Sequence, residues 1–194
     1  MKKENKFYHN EWRSSKTKKT YRKPKKFLVY IPEIQERIYK ESKKVILRKI
    51  KEYNKGRKTG RIVKATIFGS FLHKEMGMYW AKYMDIRYGS DVDVFCVTEQ
   101  GFKKPNGWKL TSAKSHSTEY QVDTVENYIE EIEKKTGAPT HPINLLIFTP
   151  GEHSYKFAKE RLPIDEKSSR KRGFKVETVF LDRKGYGKIK KELK

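Results

Sequence analysis

Two aspartates separated by a single valine are the residues in this chain best suited to chemistry. Asp91 and Asp93 lie in the segment Gly89-Ser90-Asp91-Val92-Asp93-Val94-Phe95. Alternate residues of a β-strand share a face, so the two carboxylates should project together while Val92 and Val94 pack into a core. Paired carboxylates repel one another without a cation, and their oxygens suit Mg²⁺ or Mn²⁺ with a bound triphosphate. The spacing therefore predicts a metal site, with an exposed edge strand or a turn as the alternative.

A second motif precedes the aspartates, in the segment Thr66-Ile67-Phe68-Gly69-Ser70-Phe71. Its composition predicts a strand that runs into Gly69 and Ser70 and then a helix. Glycine permits a sharp turn and a close approach to a ligand, and free N–H groups at a helix start bind phosphate. Lys74, one helical turn further on, adds positive charge for a phosphate, with a solvated surface lysine as the alternative. Many strand–helix junctions use Gly-Ser, so this motif gains weight only beside Asp91 and Asp93.

The hydrophobic patterns predict alternating helices and strands that position these motifs. Helices are predicted over 33–54, 71–83, 119–135 and 152–161, and strands over 27–31 (strand or extended lead-in), 62–68, 91–97, 143–149 and 175–181. Residues 99–118 are expected to form a loop or hairpin, with a turn at 105–107. The order indicates an α+β domain in which helices pack against a small mixed β-sheet.

Charge divides the 194-residue chain into three parts. Residues 1–26 are expected to be a flexible basic arm with net charge +9, and residues 27–166 a folded core with net charge +5. Residues 167–194 are expected to be a basic C-terminal strand and tail with net charge +8. Basic ends on a nearly balanced core predict a polyanionic partner, nucleic acid first, although a solvated lysine-rich surface has the same composition.

Several classes of protein are disfavoured by what the sequence lacks. Cys96 is the only cysteine, which excludes an internal disulfide and a cysteine-only zinc site. His73, His116, His141 and His153 lack metal-ligand spacing and are expected to be ordinary surface or loop histidines. No apolar stretch approaches the roughly 20 residues of a membrane span, and no signal-peptide core follows the basic N-terminus. A cytoplasmic protein without membrane association is the expectation.

The two motifs together resemble the polymerase-beta-like nucleotidyltransferase superfamily, in particular its minimal nucleotidyltransferases. The shared pattern is an apolar strand, Gly69-Ser70, a helix, and then a strand carrying Asp91 and Asp93, and the resemblance extends over residues 33–150. It implies a nucleotidyltransferase-like core in which Gly69 and Ser70 contact the β- and γ-phosphates of a nucleoside triphosphate. Asp91 and Asp93 would hold Mg²⁺ or Mn²⁺.

The reaction implied by the resemblance is transfer of a nucleoside monophosphate from a nucleoside triphosphate to a hydroxyl. The acceptor hydroxyl would attack the α-phosphorus in line, and pyrophosphate would leave. Basic ends favour RNA as the acceptor, with transfer RNA the first guess, while a protein hydroxyl is the acceptor in toxin–antitoxin members of the family. The alternative function is a non-catalytic nucleic-acid-binding protein on a nucleotidyltransferase-like fold.

The chain departs from the family pattern in two places. Twenty residues, 71–90, separate Ser70 from Asp91, so the surplus around 78–88 is expected to form an insertion or a longer helix. Active members also supply a third carboxylate from a neighbouring strand, and the position expected for it is Asn144. Asparagine can ligate metal through its carbonyl oxygen but cannot accept a proton as a base. The carboxylates that could substitute are Glu177 and Asp182 of the last predicted strand, and Asp123 of a predicted helix.

Overall fold

The computed structural model describes residues 8–14, 26–73, 75–81, 86–114, 117–125, 140–151 and 175–192. Its elements in chain order are β1 (Tyr8–Ser14), β2 (Lys26–Tyr30), α1 (Pro32–Asn54), β3 (Ile62–Phe68), a 3₁₀ turn (Ser70–His73), β4 (Gly77–Ala81), β5 (Ile86–Gly89), β6 (Val92–Thr98), β7 (Lys109–Lys114), β8 (Ser117–Val125), β9 (His141–Phe148), β10 (Val176–Leu181) and α2 (Arg183–Glu192). The described part of the chain is thus a mixed α+β structure, as the sequence predicted.

Six of the strands form a mixed sheet in the order β10-β3-β6-β9-β8-β7. Strands β6 and β9 run parallel, and the other neighbours in this sheet pair antiparallel. The central strand β6 carries Asp93, which lies between Phe68 of β3 and Asn144 of β9. Gln121 of β8 continues the row beyond Asn144. Because directly paired residues share a face, this row assembles on one side of the sheet.

Helix α1 covers the opposite side of that sheet. Pro32 occupies its first turn, where the missing N–H costs no hydrogen bond, and apolar residues then recur at helical spacing. The buried helix residues Ile34, Ile38, Ile46, Ile50 and Tyr53 pack with strand residues that include Ile67, Val92, Val94, Ile143 and Leu145. We call this the α1 face of the sheet.

Helix α2 packs on the other side, which we call the α2 face. A smaller buried cluster there contains Val63, Phe95, Val97, Phe148 and Ile189, the last from α2. Phe95 stacks on Phe68 with ring centroids 3.9 Å apart. Since Asp93 alternates with Val92 and Val94 and precedes Phe95 by two residues, its side chain belongs to the α2 face.

The four remaining strands form a separate antiparallel sheet in the order β1-β2-β4-β5. Strands β4 and β5 pair from Met78 with Gly89 to Ala81 with Ile86, which makes them the two arms of a hairpin-like pair. This pair accounts for the surplus residues between Ser70 and Asp91. The insertion expected there is therefore β-structure, built onto β2 and β1 from the N-terminal part of the chain.

Two predicted helices were wrong over the residues that the structure describes. Residues 71–83 do not form a helix, because a 3₁₀ turn is followed by β4. Residues 119–125 belong to strand β8 rather than to a helix. Part of the predicted flexible arm, Tyr8–Ser14, is strand β1, and part of the predicted basic tail, Arg183–Glu192, is helix α2. The predicted helix over 152–161 and residues 126–135 of the predicted helix over 119–135 lie outside the described residues.

The other predicted elements agree with the structure to within a few residues. Helix 33–54 and strand 62–68 are α1 and β3, and strands 91–97, 143–149 and 175–181 are β6, β9 and β10. The short strand over 27–31 is β2. The segment 99–118, predicted as loop or hairpin, contains β7 and the start of β8, which pair antiparallel, but β8 continues into residues that were predicted as helix.

Candidate functional site

The paired aspartates lie at the start of the central strand. Asp91 immediately precedes β6 and is exposed, whereas Asp93 is the second residue of β6 and is partly buried. The charge of Asp91 acts on Asp93, so the two carboxyl groups are electrostatic neighbours. At this end of β6 the exposed carboxylate of Asp91 and the partly buried carboxylate of Asp93 are therefore neighbouring oxygen donors.

Asn144 is a polar partner of Asp93. The two residues are directly paired across the parallel strands β6 and β9, and the Asn144 side-chain amide hydrogen-bonds the Asp93 carboxylate. Asn144 is 4% exposed, and its Oδ1 is buried without a hydrogen-bond partner. A buried carbonyl oxygen without a partner lowers the stability of the fold. Binding of a cation or a hydrogen-bond donor to Asn144 Oδ1 would remove that cost.

Gly69 approaches Asp93 from β3. Its φ of 87° is left-handed, a backbone conformation that favours glycine. A Cβ at this position would lie 3.8 Å from Asp93 Oδ2. This separation is that of an ordinary van der Waals contact, so the Gly69 backbone lies directly beside the Asp93 carboxylate.

The structure describes only part of the remaining phosphate-binding prediction. Ser70 begins the 3₁₀ turn directly after Gly69, and the Leu72 N–H donates to the Gly69 carbonyl at 3.1 Å. The side chain of Ser70 and the whole of Lys74 lie outside the described residues.

Glu119 is a third carboxylate that the sequence did not single out. Its charge raises the pKa of both Asp91 and Asp93. Glu119 lies on β8 opposite Leu146, a residue packed on the α2 face, so it shares that face with Asp93. The sequence pattern could have indicated this position. Tyr120 and Val122 alternate toward the α1 face, so in a strand Glu119 lies on the opposite face.

Burial and repulsion by neighbouring carboxylates raise the pKa of both Asp91 and Asp93. Burial, then the charges of Asp91 and Glu119, raise the pKa of Asp93 to about 7, against a smaller lowering by the Asn144 hydrogen bond. Partial burial and Glu119 also raise the pKa of Asp91. These are the shifts expected of like charges gathered without a counter-ion, and a divalent cation would reverse them.

The proposed substitutes for the third carboxylate lie elsewhere. Glu177 of β10 pairs with Ile67 on the α1 face and is held there by Tyr39 and by Lys43, whose Nζ lies 2.7 Å from Oε1. It therefore faces away from Asp93, and the suggestion that Glu177 completes the site gains no support.

Asp123 and Asp182 are also engaged in structural contacts. Asp123 lies in β8 and pairs with Arg48 and Lys49 of α1, at 2.9 and 3.2 Å. Asp182 accepts hydrogen bonds from the N–H groups of Lys184 and Gly185, which caps the start of α2. Neither carboxylate is free to join the aspartate pair in this conformation.

His141 contradicts the expectation of a surface or loop histidine, because it is fully buried at the start of β9. Its Nδ1 lies 2.9 Å from the Ser90 carbonyl oxygen, and its Nε2 lies 3.2 Å from the Tyr30 hydroxyl. Burial lowers the pKa of His141 to about 4, against an opposing contribution from the Ser90 hydrogen bond. The ring is therefore neutral near pH 7. His73 is exposed, as expected, whereas His116 and His153 lie outside the described residues.

The donor set fits a divalent cation through two carboxylates and one amide oxygen. The exposed Asp91, the partly buried Asp93 and the orphaned Asn144 Oδ1 are hard oxygen donors of the kind Mg²⁺ and Mn²⁺ prefer. Within the described residues, no group of three or more His, Cys, Asp or Glu side chains lies close enough together to hold a metal ion. The third protein ligand of a metal here would thus be Asn144 rather than a carboxylate.

Comparisons of the chain with protein-family models, curated proteins and solved structures found no match. In the parts of the chain that the structure describes, no helix is long and apolar enough to cross a membrane.

Proposed function

We propose that the protein is a Mg²⁺-dependent nucleotidyltransferase that moves a nucleoside monophosphate from a nucleoside triphosphate to a hydroxyl of RNA. The observation that supports this most is the contact between motifs distant in sequence. Gly69, from the Gly-Ser turn, lies beside Asp93, because a Cβ on Gly69 would be 3.8 Å from Asp93 Oδ2, and Asp93 in turn lies beside Asp91. A phosphate group and a divalent cation fit that arrangement together.

In the proposed reaction each residue has a distinct task. Asp91 and Asp93 hold divalent cations with Asn144 Oδ1, and the Gly69 turn receives the β- and γ-phosphates. Two divalent cations held there would supply charge neutralisation, one at the attacking and one at the leaving oxygen of an in-line displacement. Glu119, the other carboxylate that acts on the pair, is the group we assign to accept the proton of the attacking hydroxyl.

RNA is the favoured acceptor because of the net charge of +22, of which most lies in residues 1–26 and 167–194. When lysine and arginine side chains neutralise the phosphates of a nucleic acid, the counter-ions condensed on that nucleic acid are released. This release favours binding at low salt. A protein hydroxyl is the alternative acceptor, and a nucleotide labelled at the α-phosphate distinguishes the two by which macromolecule acquires the label.

The test is transfer of label from an α-labelled nucleoside triphosphate in the presence of Mg²⁺ and total RNA. The wild-type protein should label RNA, and Asp91→Asn/Asp93→Asn should abolish the labelling. Asp123→Asn is a matched control, because it removes a carboxylate from the α1 face and should retain the activity. Equal labelling by the double variant would refute the proposal.

A non-catalytic nucleic-acid-binding protein is the second candidate. It is favoured by Asn144 in place of a carboxylate and by the lack, among the described residues, of a three-carboxylate group. In that case the protein binds RNA with a steep dependence on salt, and Asp91→Asn/Asp93→Asn leaves the affinity for RNA unchanged.

A further inference from the structure

We infer that His141 is a positioning residue that fixes the Ser90 carbonyl and thereby the place of Asp91 in the proposed metal site. This inference rests on the proposed function, since it assigns a role within the same site. It concerns a buried side chain that makes no contact with the substrate.

Both ring nitrogens of His141 have defined partners. A carbonyl oxygen can only accept, so Nδ1 carries the proton that it donates to Ser90 at 2.9 Å. Nε2 is then unprotonated and accepts from the Tyr30 hydroxyl at 3.2 Å. The rings of Tyr30 and His141 meet edge to face with centroids 5.5 Å apart, so the orientation of the imidazole is determined by packing as well.

Gly89, which precedes Ser90, allows the close contact between His141 and this part of the chain. A Cβ on Gly89 would lie 2.5 Å from His141 Nδ1 and 2.7 Å from the Thr140 carbonyl oxygen, so only glycine allows the ring so near. The Gly89 N–H also donates to that Thr140 oxygen at 3.2 Å. The segment that leads into Asp91 therefore lies directly against the start of β9.

Ser90 itself is held by β4 from the other side. Its N–H donates to the Gly77 carbonyl at 2.9 Å, and its hydroxyl accepts from the Gly77 N–H at 3.2 Å. With its carbonyl bound by His141, all of the polar groups of Ser90 have partners. The peptide that joins Ser90 to Asp91 thus has a fixed position, and the exposed Asp91 side chain extends from a rigid base.

An apolar residue would fill the space of His141 but would remove the donor that the buried Ser90 carbonyl binds. The histidine also connects three separate parts of the chain, namely β2 through Tyr30, the β5–β6 junction through Ser90, and β9. We therefore assign it the role that outer hydrogen-bond partners have around metal ligands, which is to fix their orientation.

The test compares two amide substitutions in the full-length protein by calorimetric titration with Mn²⁺ at pH 8. In His141→Asn the amide nitrogen is as many bonds from Cα as Nδ1 and can still donate to Ser90. In His141→Gln the amide lies one bond further out, near the position of Nε2, and loses that contact. We expect His141→Asn to stay within about threefold of wild type and His141→Gln to bind Mn²⁺ at least about tenfold more weakly.

Gly89→Ala provides a second variant if His141→Gln fails to fold, because its new Cβ would meet both the His141 ring and the Thr140 carbonyl oxygen, so the ring and the start of β9 must shift away from Ser90. It should also weaken Mn²⁺ binding by about tenfold. Equal Mn²⁺ affinities for wild type and whichever of these two variants folds would overturn the positioning role alone. Absence of Mn²⁺ binding by the wild-type protein would instead overturn the proposed function, and the positioning role with it.

Discussion

Asn144 donates a hydrogen bond to the Asp93 carboxylate from the directly opposed position on the neighbouring parallel strand, and its own Oδ1 remains buried and unpaired. One amide thus both favours the charged form of Asp93 and offers an oxygen for a cation. Asn144 stands at the position where the resemblance to nucleotidyltransferases led us to expect a third carboxylate. A substitution of Asn144 that changes its charge can therefore test the stability of the metal-free protein and its affinity for metal separately.

The first prediction concerns Asn144→Asp. The substitution removes the hydrogen bond to Asp93 and adds a further negative charge beside Asp93, whose carboxyl group is already repelled by Asp91 and Glu119. Without metal, the melting temperature at pH 8 should fall, and with saturating Mn²⁺ the stabilisation should exceed that of wild type. Thermal melts with and without Mn²⁺ measure both effects, and equal Mn²⁺ shifts in the two proteins would count against a cation at this position.

The second prediction concerns Asp93→Asn. The pKa of Asp93 is about 7 in the folded chain, above its ordinary value of 3.8, so at pH 8 the ionised carboxylate destabilises the metal-free fold. Removing the charge should raise the free energy of unfolding at pH 8 by about 2 kcal/mol. Urea titrations measure this quantity, and at pH 4 the gain should disappear because Asp93 is then protonated in the folded protein. A loss of stability at pH 8 would contradict the assigned repulsion.

The third prediction is an acid profile in which two groups oppose each other. Between pH 7 and 4 the folded chain takes up a proton on Asp93 that the unfolded chain lacks, so stability rises as pH falls. Between pH 6.5 and 4 only the unfolded chain protonates His141, so stability falls as pH falls. Wild type should lose only about 1 kcal/mol in this range, because the Asp93 contribution offsets most of the histidine contribution, whereas Asp93→Asn should lose about 3 kcal/mol from the histidine alone. Parallel profiles for the two proteins would contradict this account.

The fourth prediction uses two glycines with similar backbone angles. Gly69 has a φ of 87° and faces Asp93, whereas at Gly56, with a φ of 73°, an added Cβ would meet nothing within 4 Å. Alanine at either position should cost about 1 kcal/mol of stability through left-handed strain. Only Gly69→Ala should also reduce nucleotide transfer, because its methyl group fills the space beside Asp93. Equal transfer by the two alanine variants, measured with α-labelled nucleotide, would remove Gly69 from the site.

Much of the scaffold was predictable because its patterns are local. The helical spacing of Ile34 and Ile38, and the apolar runs of β3 and β6, predicted the elements that carry the site. The paired aspartates and the Gly69 turn were likewise visible as short motifs. Their mutual approach followed from adjacent strands, since Phe68 pairs with Asp93.

The remainder depended on contacts between distant parts of the chain. Residues 77–81 are aromatic and apolar, a composition that fits helix or strand, and pairing with β2 decides for the strand. His141 is buried by partners 111 and 51 residues away, which no local pattern reveals. The apolar spacing over 119–135 predicts a helix, and on a helix Glu119 is not placed near Asp93. Residues 119–125 are instead part of strand β8, where alternate residues share a face.

The most direct measurement of the central claim is binding of Mn²⁺ to the metal-free protein at pH 8, where Asp93 is largely ionised. Calorimetric titration of wild type, Asp91→Asn/Asp93→Asn and the α1-face control Glu177→Gln would test whether the aspartate pair forms the site. We predict saturable binding by wild type and Glu177→Gln, and its loss in the double variant. Undiminished Mn²⁺ binding by the double variant, or none by wild type, would contradict the assignment.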